Sequence, residues 1–219
     1  MKNILFFLLI SFCFFLSGCV EELINELEDH QITAKERLQE VISEARTDFA
    51  IDAELASIYG LNVDTNGEIN LQEVDNGFVY VVQSDFLLEN EFYIPVFGST
   101  PVRSPIDFNS ILAFVKDTTA KNILDFAFGK LSTLSIDPSL TYDDSPAALS
   151  QLLPRSDVTS FRSLNPGSKI DMMLLPSKSI DTLSVVNSAD WIVNFYSNQN
   201  SLVLWINTER DTVINLSDL

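Results

Sequence analysis

The chain has 219 residues, 46% of them hydrophobic, and 13 Lys and Arg against 31 Asp and Glu give a net charge of −18. That length and apolar content suffice for a real core, in one large domain or two small ones. The acidity argues against nucleic acid as a partner, because phosphate binding needs Lys and Arg clusters that this chain lacks.

The chain opens "MKNILFFLLISFCFFLSGC", where Lys2 precedes an apolar run from Ile4 to Leu16. The run is too short to span a bilayer comfortably and ends in small residues, the pattern of a signal peptide over 1–18. "LSGC" (Leu16 to Cys19) resembles the lipobox of bacterial lipoproteins. That resemblance implies cleavage before Cys19 and acylation of its thiol and amine. The mature chain would then lose Lys2, so its charge becomes −19 rather than −18. Cys13 would leave with the signal, and no thiol would remain for a disulfide. Three acyl chains hold a protein to a membrane far better than one. Val20 stands where a retention Asp would keep a lipoprotein at the inner membrane, so the expected destination is the outer membrane of the cell envelope.

Residues 19–32 read as an acidic tether that holds the one histidine, His30. Without a second His or a free Cys, zinc sites and His-based triads are excluded. "TAKE" (Thr33 to Glu36) is a capping-box pattern announcing a helix. Ala34, Leu38, Val41, Ile42, Ala45 and Phe49 follow as one apolar stripe. Asp52 reads as a second N-cap, opening a short helix through Tyr59 that ends at Gly60. "GFVYVVQS" (Gly77 to Ser84) and "EFYIPVFG" (Glu91 to Gly98) predict a β-hairpin, with Pro95 near an edge or bulge.

Residues 99–109 form a Pro-punctuated linker, and the stretch to 143 is the least legible. "SILAFV" (Ser110 to Val115) suits strand or helix, "DTTAKNILDFAFGK" (Asp117 to Lys130) a capped helix, and "LSTLSID" an extended piece. "DSPAALSQLL" (Asp144 to Leu153) predicts a helix with Ser145 at the N-cap and Pro146 at its first position. "KIDMMLL", "DWIVNFYS" and "SLVLWINTERDTVINL" predict strands. Trp191, Phe195, Tyr196 and Trp205 in those strands read as core. Two carboxylates beside a hydroxyl in "YDDS" (Tyr142 to Ser145) read as helix capping.

"NVDTNGEINLQE" (residues 62–73) carries the sharpest chemical signal. Asn62, Asp64, Asn66, the carbonyl of Glu68 and the carboxylate of Glu73 fall on the ligand positions of an EF-hand calcium loop, with Gly67 at the sharp turn. Asn in the first position removes a charge. Gly77 and a strand follow where a helix should exit. The competing reading is a tight turn, "DTNG", with Gly67 at positive φ.

Each half reads as a helix followed by antiparallel strands, so the fold class is α+β with two similar units, 33–104 and 105–219. "DAELASIYGLNVDTNGE…GFVYVV" and "DSPAAL…WIVNFYS…LVLWINTERDTVINL" resemble PepSY-type, cystatin-like modules, with Arg210 and Asp211 where a Gly turn is usual. The resemblance implies a non-catalytic module that binds a peptide, a protein or a cell-wall component. Two alternatives stand beside it: a calcium-stabilised module using the 62–73 loop, and an envelope hydrolase working through carboxylates.

Overall fold

The computed structural model describes residues 30–85, 92–98, 134–138, 141–177 and 188–216. The expected lipobox with Cys19, the segments Ser110–Val115 and Asp117–Lys130, and the expected boundary between residues 104 and 105 lie outside them. The chain divides into two compact units, Met1–Gln31 and Ile32–Leu219. No helix among the described residues is long and apolar enough to cross a membrane.

Nine strands are described: β1 (Gln31–Ile32), β2 (Glu54–Leu61), β3 (Ile69–Asn70), β4 (Gly77–Gln83), β5 (Val96–Gly98), β6 (Lys169–Pro176), β7 (Ala189–Tyr196), β8 (Ser201–Asn207) and β9 (Thr212–Asn215). The helices are α1 (Leu38–Asp48), α2 (Ser145–Leu152) and α3 (Ser156–Leu164). Seven strands form one antiparallel sheet in the order β5-β4-β2-β6-β7-β8-β9, and β1 pairs with β3 in a small separate ladder. The fold is therefore α+β. The β2–β6 pair, where Tyr59 stands opposite Met173, joins the first-half strands β5-β4-β2 to the second-half strands β6-β7-β8-β9.

The period of two along each strand sorts side chains to opposite faces. Phe78, Tyr80 and Val82 of β4, Met172 and Leu174 of β6, and Val193 and Phe195 of β7 join the core under the helices. Val79, Val81, Met173, Ile192, Val203 and Trp205 form a second apolar cluster on the reverse face. Burial on both faces explains why these strands read as continuous apolar runs and not as alternating ones. The helices all serve the first cluster: α1 through Val41 and Ala45, α2 through Ala148, Leu149 and Leu152, α3 through Val158. Trp191, Phe195, Tyr196 and Trp205 are buried, as the sequence predicts.

Three expectations need correction. Residues 54–61 are not a helix. They are the central strand β2, wedged between β4 and β6, with Ile58 and Tyr59 buried on opposite faces. Asp52 does not cap a helix; its carboxylate accepts from Ser84 Oγ at 2.6 Å and from Asp85 N–H at 3.0 Å, anchoring the exit of β4. A short apolar run with Ala and Leu fits either structure, and burial on both sides decided for strand.

The second concerns helix starts. The cap of α2 is Asp144, whose side chain accepts from Ser145 N–H at 2.7 Å. Ser145 is buried, and its Oγ accepts from Ala34 N–H at 3.0 Å instead. Half of the "TAKE" box forms, with Glu36 Oε2 accepting from Thr33 N–H at 3.3 Å, but the chain passes through turns until α1 starts at Leu38. The third is an omission: "SDVTSFRSL" gives no sequence warning of α3. Its Ser, Thr and Val content is poor for helix, and it buries only Val158 fully. A salt bridge of 2.7 Å from Arg155 to Asp157 organises its first turn and holds the Asp157 carboxyl below its ordinary range.

Candidate functional site

Four places on the molecule carry chemistry worth weighing, and the 62–73 loop comes first. It leaves β2 through Asn62, at φ 50°, whose N–H donates to Asp171 Oδ1 at 2.8 Å. Asp64 Oδ1 accepts from Asn66 N–H at 2.7 Å and Glu68 N–H at 2.9 Å, and Oδ2 accepts from Asn66 Nδ2 at 3.2 Å. The Glu68 carbonyl, expected to face a cation, accepts from Asp64 N–H at 2.8 Å. Glu73 Oε2 accepts from Asn76 Nδ2 at 3.5 Å. The structure thus brings Asp64, Asn66 and Glu68 together around the Asp64 carboxylate and ties Asn62 and Glu73 elsewhere. Among the described residues no three His, Cys, Asp or Glu group to hold a metal ion.

This is the geometry of an Asx turn, in which a short carboxylate satisfies its own loop's N–H groups. Gly67 supplies φ 82° and lies so close to α2 that a Cβ would stand 2.5 Å from Pro146 N. Asp64→Ala should therefore cost about 1–2 kcal/mol, whatever the calcium concentration. Full chain in detergent should melt at one temperature in millimolar calcium and in EDTA. A calcium-dependent rise that vanishes in Asp64→Ala would instead make the loop an ion site.

A groove of about 700 Å³ runs between α1 and the start of β2. Ile42 and Leu55 give it apolar walls, while Lys35, Arg46, Glu54 and Asp137 reach its rim. The extended residues 134–137 take a sheet-like position here, with Ile136 N–H donating to Leu55 O at 2.6 Å. The rim's polar groups are engaged within the fold. Lys35 Nζ lies 4.0 Å from the centre of the Tyr142 ring and donates to the Tyr142 carbonyl. Arg46 Nε donates to Ala53 O at 3.3 Å, and Glu54 Oε2 accepts from Ser135 Oγ at 2.6 Å. Burial and, secondarily, the Asp144 carboxylate push the Tyr142 hydroxyl up to about 12. These are contacts of a structural seam.

The sheet edges differ from one another. β5 is preceded by Pro95, whose carbonyl accepts from Tyr80 N–H at 3.0 Å, so Pro stands on an edge as expected. β9, at the other end of the sheet, carries neither Pro nor a charged residue in "TVIN". Thr212 is exposed and Val213 half-buried. A tight turn with Asp211 at φ 49° delivers the strand, and Arg210 N–H caps onto Asn207 Oδ1 at 2.8 Å. Natural sheets usually blunt their edges with Lys, Pro or a bulge. β9 has neither of the first two.

The reverse face of the sheet holds a buried polar group absent from the expectations. Asp171 of β6 stands opposite Asn194 of β7, and Tyr196 Oη donates to Asp171 Oδ1 at 3.3 Å. Burial, and after it the Asp171 charge, push the Tyr59 and Tyr196 hydroxyls well above their ordinary range. A polar residue inside an otherwise apolar strand run, as in "KIDMM" and "WIVNF", is the sequence signal that marks them. Comparison of the chain with protein-family models, with curated proteins and with solved structures finds no match.

Proposed function

We propose that the chain is a lipid-anchored lipoprotein of the cell envelope, most fittingly at the outer membrane, that binds an extended peptide or protein segment and catalyses nothing. The anchor would be acylated Cys19, and the binding element the β9 edge, which would accept a further strand by β-augmentation. One observation carries the choice of edge: among the described residues β9 ends the sheet and carries neither the Pro nor the charge that would discourage strand addition, whereas β5 lies next to Pro95. Main-chain hydrogen bonds would supply affinity, and the side chains flanking Val213 would supply selectivity.

The finer architecture belongs to the same proposal. Helix α1 with β2, β4 and β5, and helices α2 and α3 with β6, β7 and β8, would be two PepSY/cystatin-like units joined along β2 and β6. The strand order, which keeps β5-β4-β2 together on one side of the β2–β6 pair and β6-β7-β8-β9 on the other, supports that reading.

A photoreactive residue at Thr212 of the full chain, expressed in cells, tests the edge. The expected result is a discrete cross-linked adduct absent when the same residue is placed at Ile51, which is 84% exposed but lies in neither edge strand. Identical adducts from both positions, or none from Thr212, would refute edge binding. An alkyne fatty acid fed to the same cells should label the wild type and leave Cys19→Ser unlabelled.

A further inference from the structure

We infer that the segment received by the β9 edge is a short run of consecutive apolar residues flanked by Lys or Arg. The inference rests on the reading of β9 as the binding edge and states which chemistry that edge selects. Its geometric basis is the register of the last two strands. Val213 stands opposite Ile206, and Ile214 opposite Trp205. Ile206 belongs to the core under the helices and Trp205 to the cluster on the reverse face. Val213 packs against the first, and Ile214 with Leu216 against the second. Both apolar layers of the sheet therefore reach β9, at adjacent positions along it.

Neither layer is finished there. Ile206 is 8% exposed and Trp205 6%, whereas Val213 and Ile214 opposite them are only half-buried. A strand laid along β9 sends successive side chains to opposite faces. It extends both layers only when neighbouring residues are both apolar, as in the doubly buried β7 and β8. A segment alternating apolar with polar would extend one layer and set a polar side chain against the other. Charge selects the flanks. The turn before β9 exposes Glu209, Arg210 and Asp211, and residues 209–219 carry three acidic residues against Arg210 alone. The whole chain carries −18. That field draws a cationic segment and repels a second copy of the chain, whose own β9 would otherwise be a ready antiparallel partner.

Three synthetic peptides test this on the full chain in detergent, with the photoreactive residue at the exposed Thr212. The first places Val-Ile-Val-Ile between pairs of Lys, the second places the same core between pairs of Glu, and the third places Val-Ser-Val-Ser between pairs of Lys. The first should cross-link at about tenfold lower concentration than either of the others. Its advantage over the Glu-flanked peptide should shrink as added salt screens the field. Equal cross-linking of the Lys- and Glu-flanked peptides, or of the contiguous and alternating cores, would overturn the inference and leave β9 as a binding edge. Adducts between two copies of the chain in place of peptide adducts would overturn it in favour of self-pairing. No adduct with any peptide would remove the edge reading and this inference together.

Discussion

Gly67→Ala is expected to lower the melting temperature by about 10 °C, among the largest effects of any single methyl added to this protein. Two costs combine at that position. The backbone is left-handed, at φ 82°, which costs an L-residue about 1–2 kcal/mol. The new Cβ would also stand 2.5 Å from Ser145 C and from Pro146 N. Both neighbours are backbone atoms at the start of α2, so relief requires the loop and the helix to move apart. Together these amount to about 3–4 kcal/mol, or about 2–4 °C for each kcal/mol in a chain of this size. Gly167→Ala provides the comparison, since it has φ 79° but nothing within 4 Å of the added atom. It should show the conformational cost alone. Equal losses in the two variants, measured by thermal unfolding, would contradict the packing argument.

Asp190→Ala should be comparably damaging, for an electrostatic reason. Asp190 is fully buried at the start of β7. Its Oδ2 accepts from Trp205 Nε1 at 2.9 Å, and its Oδ1 from Thr208 N–H at 3.0 Å. One carboxylate therefore holds both the β8 indole and the turn that delivers β9. Its removal strands the buried Trp205 indole N–H and the part-buried Thr208 amide, and costs about 2–4 kcal/mol. Asp190→Asn keeps one acceptor oxygen and should lose roughly half as much. The near-ultraviolet circular dichroism of Trp205 should weaken in step with stability. A melting temperature of Asp190→Ala within about 2 °C of the wild type would show that these bonds are dispensable. Because β9 follows directly, the same variant should also diminish cross-linking from Thr212.

Much of the fold is legible in the residues themselves. "GFVYVVQ", "KIDMMLLP", "ADWIVNFY" and "SLVLWIN" are strands in the sequence and in the sheet, since β-branched and aromatic runs have few other low-energy conformations. The apolar stripe from Ala34 to Phe49 marks α1, and Asp143, Asp144 and Ser145 mark the start of α2, although which of them caps was misassigned. "ELASIYGL" was not legible. Its local composition suits a helix, and only its place between β4 and β6 makes it a strand. The EF-hand spacing of 62–73 was fully legible, but the same residues at the same spacing make an Asx turn. The hydrogen bonds onto Asp64 Oδ1 describe the turn, and the melting comparison in calcium and EDTA tests the ion site.

The sequence by itself determined the elements whose physics is local: the continuous β-branched and aromatic runs of the strands, the stripe of α1, and the left-handed need at Gly67. It also determined the chain's acidity. Tertiary structure alone decided what depends on neighbours distant in the chain. It placed β2 beside β6, 109 residues apart at Asn62 and Asp171. It brought Tyr59, Asp171 and Asn194 to one face, and left β9 at the end of the sheet. Local propensity reaches only a few residues along the chain, whereas pairing and burial are settled between strands that the sequence keeps far apart.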